Sequence, residues 1–208
     1  MVTGANEKQM AAMNRYAALL EEAKIRISSV EDMLNGKVAL HPILLREACF
    51  LQLRMLCEVI SLGCLIVHGD IGAEEIGRLR KEWSADAIVK AMTALKPTFF
   101  PRPHSQDKLG PGRFHMAPIN NGFLTKGELQ ELNGLCGNVL HRGSLKNFDP
   151  AITAKEIDLT DVLDWLRKIG TLLNIHVISL FEGTVQILCI LRNMDNKERV
   201  QVVFASAT

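Results

Sequence analysis

Apolar residues recur at helical spacing along most of the chain and switch to alternation only near its end. Residues 6–34 place Met10, Met13, Ala17, Leu20, Ile27 and Leu34 at intervals of three, four and seven, one stripe on a helix whose other face is charged. Asn35-Gly36 ends this helix, and His41-Pro42 opens a second over about 43–68, proline being tolerated in a first turn. The second helix is apolar nearly all round, as suits a central helix touched by several neighbours. A third is predicted over about 73–95, with Ile76, Leu79, Trp83, Ala87, Met92 and Leu95 on its buried face and Lys96-Pro97 as its stop. Thr125 and Glu128 have capping-box spacing and open a fourth helix to about Arg142, with Gly143 beyond it. A fifth follows, capped by Asp158 or Thr160, and runs to about Asn174.

Two stretches lack the helical period. Residues 96–124 carry Pro97, Pro101, Pro103, Pro111 and Pro118 and are read as a long ordered loop, held down by Phe99, Phe100, Phe114, Met116, Ile119 and Phe123. Near the end, Val185, Ile187, Cys189 and Leu191 alternate with their neighbours, as do Val200, Val202 and Phe204, which predicts a β-hairpin turning within 193–197. Residues 176–181 either add a short strand or extend the fifth helix. The expected fold is mainly α: a five-helix up-and-down bundle with a long Pro-rich loop and a C-terminal β-hairpin. Its expected division is a bundle over 1–174 and a hairpin appendage over 175–208, docked because two strands alone are marginal.

Composition changes this picture little but excludes much. A chain of 208 residues, 48% hydrophobic and 23% charged, is ordinary globular material that folds without disulfide or metal. A net charge of +1 excludes a globally basic nucleic-acid coat and leaves only local patches for polyanions. Cys49, Cys57, Cys64, Cys136 and Cys189 form no C-x-x-C pair and read as reduced core thiols. The N-terminal residues show no leader pattern, and the longest uncharged stretch of the second helix, 59–69, is short for a span; the expectation is a cytoplasmic protein with no membrane partner. Nucleotide-loop, nucleophile-elbow and zincin motifs are absent, so no metal and no cofactor is expected.

Three places carry candidate chemistry. On the second helix, at about 100° per residue, Glu47, Arg54, Glu58, Ser61 and His68 fall within an arc of about 80°. This is either a solvent strip or a buried network with Arg54 held between Glu47 and Glu58, since charges inside a bundle must be paired. On the fourth helix, Gln130, Asn133, Gly137 and His141 flank the apolar face, with Asn138 and Arg142 beside them. Gly134 and Gly137 inside that helix cost about 1 kcal/mol each, for which close helix packing is the expected compensation and a closely approaching ligand the alternative. If the helices run up and down, the second and fourth are parallel and His68 and His141 share one end of the bundle, although a histidine near a helix C-terminus is favoured by the macrodipole alone. The loop supplies Arg102, His104, Lys108, Arg113 and His115 against Asp107. With Phe99, Phe100 and Phe114 it offers phosphate contacts and stacking rings; otherwise it is a solvated rim answering the acidic residues Asp149, Glu156, Asp158, Asp161 and Asp164.

The helical order, the stretch LREACFLQLRMLCEVI and the closing LCGNVLHRG resemble prokaryotic proteins built on the HEPN type of α-helical bundle, over about residues 10–174. The resemblance implies dimerisation. In active members it implies RNA cleavage by an arginine four to six residues removed from a histidine, a role that His141 matches. Residues 131–136, where that arginine would stand, hold none.

Two functional expectations follow. One is a noncatalytic helical protein acting through self-association, as a homodimer, or through a protein partner. The other is an RNA-binding or metal-independent RNA-cleaving protein centred on His141, with Arg54, Glu58 and His68 nearby.

Overall fold

In a computed structural model, residues 3–68, 84–111, 113–141, 158–180, 185–192 and 199–206 are described. Helix α1 spans Thr3–Leu34 and ends where expected: Gly36 takes φ +70°, its N–H reaches Met33 O, and Lys37 N–H reaches Asp32 O, together closing the last turn. Helix α2, Pro42–Val67, starts with proline in its first turn. It is the one described helix long and apolar enough to cross a membrane, and 61% of its most apolar window lies inside the fold. Helix α3, Ala85–Leu95, is shorter than the expected 73–95. Ser84 sits in extended backbone as its N-cap and accepts from Ala87 N–H, so the helix begins there; residues 69–83 lie outside the described residues.

The Pro-rich stretch is not a loop. It forms strands β1, Arg102–Gly110, and β2, Arg113–Pro118, paired antiparallel from His104↔Pro118 to Gly110↔Arg113. Helix α4, Lys126–Leu140, follows with both halves of the Thr125–Glu128 capping box in place. Helix α5, Thr160–Asn174, starts under Asp158, whose carboxylate accepts from the Thr160 N–H at 2.8 Å, and it passes directly into strand β3, Ile175–Leu180. Strands β4, Val185–Ile190, and β5, Gln201–Ser206, are the antiparallel pair expected at the end; the turn between them lies outside the described residues.

These strands join in one antiparallel sheet of order β2-β1-β3-β4-β5. The five described helices and five strands make a helix-rich α/β molecule rather than the expected five-helix bundle with a hairpin beside it. The expected boundary at 174 falls within a continuous piece of structure: β1 and β2 precede it, β3 to β5 follow it, and one hydrophobic core runs from Met13 to Leu191.

α2 is central, packed on α1, α3 and α4, and buries Phe50, Leu53, Leu56 and Cys57 completely. α1 is fastened to the sheet at three points. Tyr16 bonds His176 of β3 at 2.7 Å, Glu21 accepts the Val200 N–H at 2.7 Å, and Glu31 pairs with Arg192 at 3.2 Å. Gly63 of α2 lets the Tyr16 ring lie against the helix, since a Cβ there would stand 2.7 Å from Tyr16 Cε2. The Arg46 guanidinium forks onto both carboxylate oxygens of Asp161, takes the Asp158 carbonyl, and lies 4.7 Å over the Phe50 ring, tying α2 to the start of α5.

Candidate functional sites

The polar strip of α2 is graded rather than uniform. Glu47, Arg54 and Glu58 are half-buried, whereas Ser61 and His68 are fully buried. Arg54 Nε donates to Glu58 at 3.3 Å, with side-chain exposures of 29% and 32%, which makes a half-solvated pair of neighbouring helical turns and not an internal charge network. Arg54 also lies near α4: burial pushes the Cys136 thiol up to about 12, and the Arg54 charge opposes that rise. Further along, the Ser61 hydroxyl donates back to the Cys57 carbonyl within the helix, and His68 Nε2 lies 3.1 Å from the Phe99 carbonyl oxygen. His68 is thus a buried connection between the end of α2 and the segment entering the sheet.

His68 and His141 do not share a site. The Phe99 ring beside His68 is covered by Lys126 Nζ at 5.6 Å from its centroid, and Lys126 is the first residue of α4. The C-terminal end of α2 therefore meets the N-terminal end of α4, and the two helices run antiparallel. His141 caps the opposite end of α4, its N–H bonded to the Gly137 carbonyl and its residue exposed, roughly 22 Å along the helix from Lys126. The alternation expected of the helices fails between α2 and α3: Asp86 at the start of α3 lies near Cys57 and Phe99 beyond its end meets His68, so α3 runs the same way as α2.

Asn133 is half-buried, Asn138 is exposed, and Arg142 lies outside the described residues. The His141 imidazole has no hydrogen-bonding partner among the described residues, and no arginine stands one or two turns before it. A Cβ added at Gly134 or at Gly137 would meet nothing within 4 Å, so close helix packing does not compensate for these glycines.

The basic segment takes a form not foreseen. Only Arg102 and Pro103 of β1 pair with β3; from His104 onward β1 pairs with β2 alone, and the two strands form an arm running past the end of β3. Arg102, Lys108, Arg113 and His115 are exposed on this arm together with Phe114 and Leu109, against the single acid Asp107. Phe99 and Phe100, expected as stacking rings, are 0% and 9% exposed and belong to the core. The acidic residues expected to answer the basic segment are engaged elsewhere: the Asp158 carboxylate with Thr160, Asp161 with Arg46, and Asp164 with Arg167; Asp149 and Glu156 lie outside the described residues.

All five cysteines are buried free thiols, and burial raises Cys64 to about 12 and holds Cys57 and Cys189 well above the ordinary thiol range. No group of three or more His, Cys, Asp or Glu residues able to hold a metal ion occurs among the described residues.

Missed by sequence reasoning is the place of β5, which was expected as a strand but not as an exposed edge of a larger sheet. Val203 and Phe204 point to opposite faces of the sheet and are 49% and 38% exposed. On one face Val203 lies opposite Leu188, itself opposite Val177, so an apolar row crosses three strands and ends at an edge that no strand pairs among the described residues. The available signal was the uncharged run QVVFAS, read only as half of a hairpin.

Comparison of the chain with protein-family models, curated proteins and solved structures finds no match.

Proposed function

We propose that this protein works by self-association, as a homodimer joined along β5. The observation that carries this reading is the edge itself, a six-residue strand with no charge and no proline whose Val203 and Phe204 stay exposed on the two faces. Native sheets ordinarily guard such an edge with lysine, proline, a bulge or a covering element. A two-fold axis lets the same antiparallel edge satisfy itself, each strand supplying donors to the other's acceptors, so a second copy is the occupant that this backbone fits directly. Catalysis has no part in this reading. Its test is mass in solution: light scattering during gel filtration at about 100 µM chain should give twice 23.1 kDa. Val203→Lys with Phe204→Lys should return the monomer while retaining the helical circular dichroism. A monomeric wild type at that concentration overturns the reading.

A second reading, binding of single-stranded RNA, is favoured by the exposed basic arm of β1 and β2, with Arg102 and Arg113 as phosphate contacts and Phe114 as a stacking ring. It places the nucleic acid on the arm and away from His141. Fluorescence anisotropy with a labelled single strand should show affinity falling with salt, and Arg102→Ala with Arg113→Ala should lower the slope of that dependence by about 1 to 2. Equal affinity in wild type and variant removes this reading.

A further inference from the structure

An open cleft of about 590 Å³ lies between α1, α5 and the base of the arm. One continuous face of α5 forms its wall: Leu163, Leu166, Arg167, Gly170, Thr171 and Asn174, spaced three, one, three, one and three residues apart. This is a helical face distinct from the one that fills the core with Val162, Ile169, Leu172 and Leu173, all at most 1% exposed. Ile27 of α1, Ile119 after β2 and Leu191 after β4 complete an apolar lining, and Leu163 stands 45% exposed within it.

Two features distinguish this cleft from a chance surface dip. Gly170 sits inside a helix, where glycine costs about 1 kcal/mol relative to alanine, and a Cβ there would meet nothing within 4 Å. Packing against a neighbour does not account for it, whereas a side chain at that position would extend into the cleft.

The charges around the cleft are the second feature. Both oxygens of Glu31 face Arg192, at 3.4 and 3.2 Å, and Arg192 also reaches Ser28. Among the described residues the Arg167 side chain is held by Asp164 alone, three residues before it on the same helix and outside the cleft lining, in a pair whose side chains are 65% and 57% exposed. Exposed pairs of this kind contribute little and exchange partners readily. The Arg167 guanidinium is therefore the cation on hand for a ligand, with the Asn174 amide a turn or two further on.

We infer that this cleft binds an amphipathic carboxylate, its apolar body against Leu163, Leu166 and Ile119 and its acid group on Arg167. A planar guanidinium fork matches a carboxylate in two parallel hydrogen bonds, and an apolar lining with a few placed polar groups is how small-molecule sites are built. This inference is independent of association along β5 and of the arm.

Calorimetric titration of the full chain with decanoate tests it, with decanol as the uncharged control. Saturable decanoate binding is expected, about tenfold weaker for Arg167→Gln and weaker for decanol, on the scale of one charge-assisted hydrogen bond. Gly170→Ala and Gly170→Leu should weaken it in that order. Alanine should at the same time raise the melting temperature, so lost binding and lost folding move in opposite directions. No saturable binding to the wild type overturns the inference, as does unchanged affinity in Gly170→Ala or in Arg167→Gln.

Discussion

The Tyr16 hydroxyl donates to Nε2 of His176 across 2.7 Å, joining the first helix to the central strands of the sheet over 160 residues of chain. The ring tautomer follows from the other nitrogen: Nδ1 lies 3.1 Å from the Leu173 carbonyl oxygen, so it carries the proton and leaves Nε2 as an acceptor. The two rings meet edge to face at 6.0 Å and 89°, and both residues are buried. Tyr16→Phe keeps the ring contact and strands a buried acceptor. It should cost about 1 to 3 kcal/mol, read as a lower urea midpoint at unchanged slope.

The same histidine makes stability depend on pH. Burial lowers its pKa to about 4, against the partial opposition of the bond to Leu173 and with a smaller push from His104. Above about pH 6.5 the imidazole is neutral in both folded and unfolded chains and contributes no slope. Below that, the unfolded chain takes up the proton first, so stability is lost as pH falls from about 6.5 towards 4, by about 3 kcal/mol in all. Urea unfolding across this interval should show that loss. His176→Gln, which retains an acceptor for Tyr16, should flatten the curve even though it lowers the plateau. A curve of the same slope in wild type and variant contradicts the assignment.

Three helical glycines should respond to alanine in opposite directions. At Gly63 the new Cβ would lie 2.7 Å from a Tyr16 ring already pinned by His176, so Gly63→Ala should destabilise by about 1 to 3 kcal/mol. At Gly134 and Gly137 the space is open, and alanine should stabilise by about 0.5 to 1 kcal/mol each. Melting curves of the three variants decide. A loss at Gly134 or Gly137 would mean that these positions carry a backbone or partner requirement of their own.

What was legible in the sequence follows from what burial does to a pattern. α1, α2, α4 and α5 each present a buried stripe to the core, and Gly36, Pro42 and Thr125 mark ends by local chemistry, so most ends were readable to within a residue or two; the N-cap of α5 is Leu159 rather than Asp158 or Thr160, with Asp158 accepting from the Thr160 N–H beside it. β4 and β5 showed themselves by alternation because one face packs on the helices. β1 and β2 did not, because most of the arm is exposed on both faces and no hydrophobic alternation marks a strand that buries neither side. Prolines at Pro103 and Pro118 then argued for a loop, yet Pro118 ends β2, a sheet edge where a missing N–H is tolerated, and Pro103 is the second residue of β1, at the start of that strand. The antiparallel course of α2 and α4 was beyond reach because it depends on how the chain passes from α2 to α3, which run the same way, and residues 69–83 lie outside the described residues. Candidate-site residues were found by type, whereas what they touch depends on that topology.

Arg54 separates the two readings of the polar strip energetically. Had it lain inside the bundle between two carboxylates, its removal would leave buried like charges and cost about 3 to 5 kcal/mol. In the fold it is half-exposed and bonded to Glu58 one turn on at 3.3 Å, and water is present to solvate what remains. Arg54→Ala should therefore cost no more than about 1 kcal/mol, and added salt should weaken the interaction further, because screening acts on a pair that solvent can reach. Urea midpoints of wild type and Arg54→Ala at low and high salt measure both effects. A loss of several kcal/mol that salt does not change would mean that α2 and α4 close over this pair more tightly than its exposure indicates.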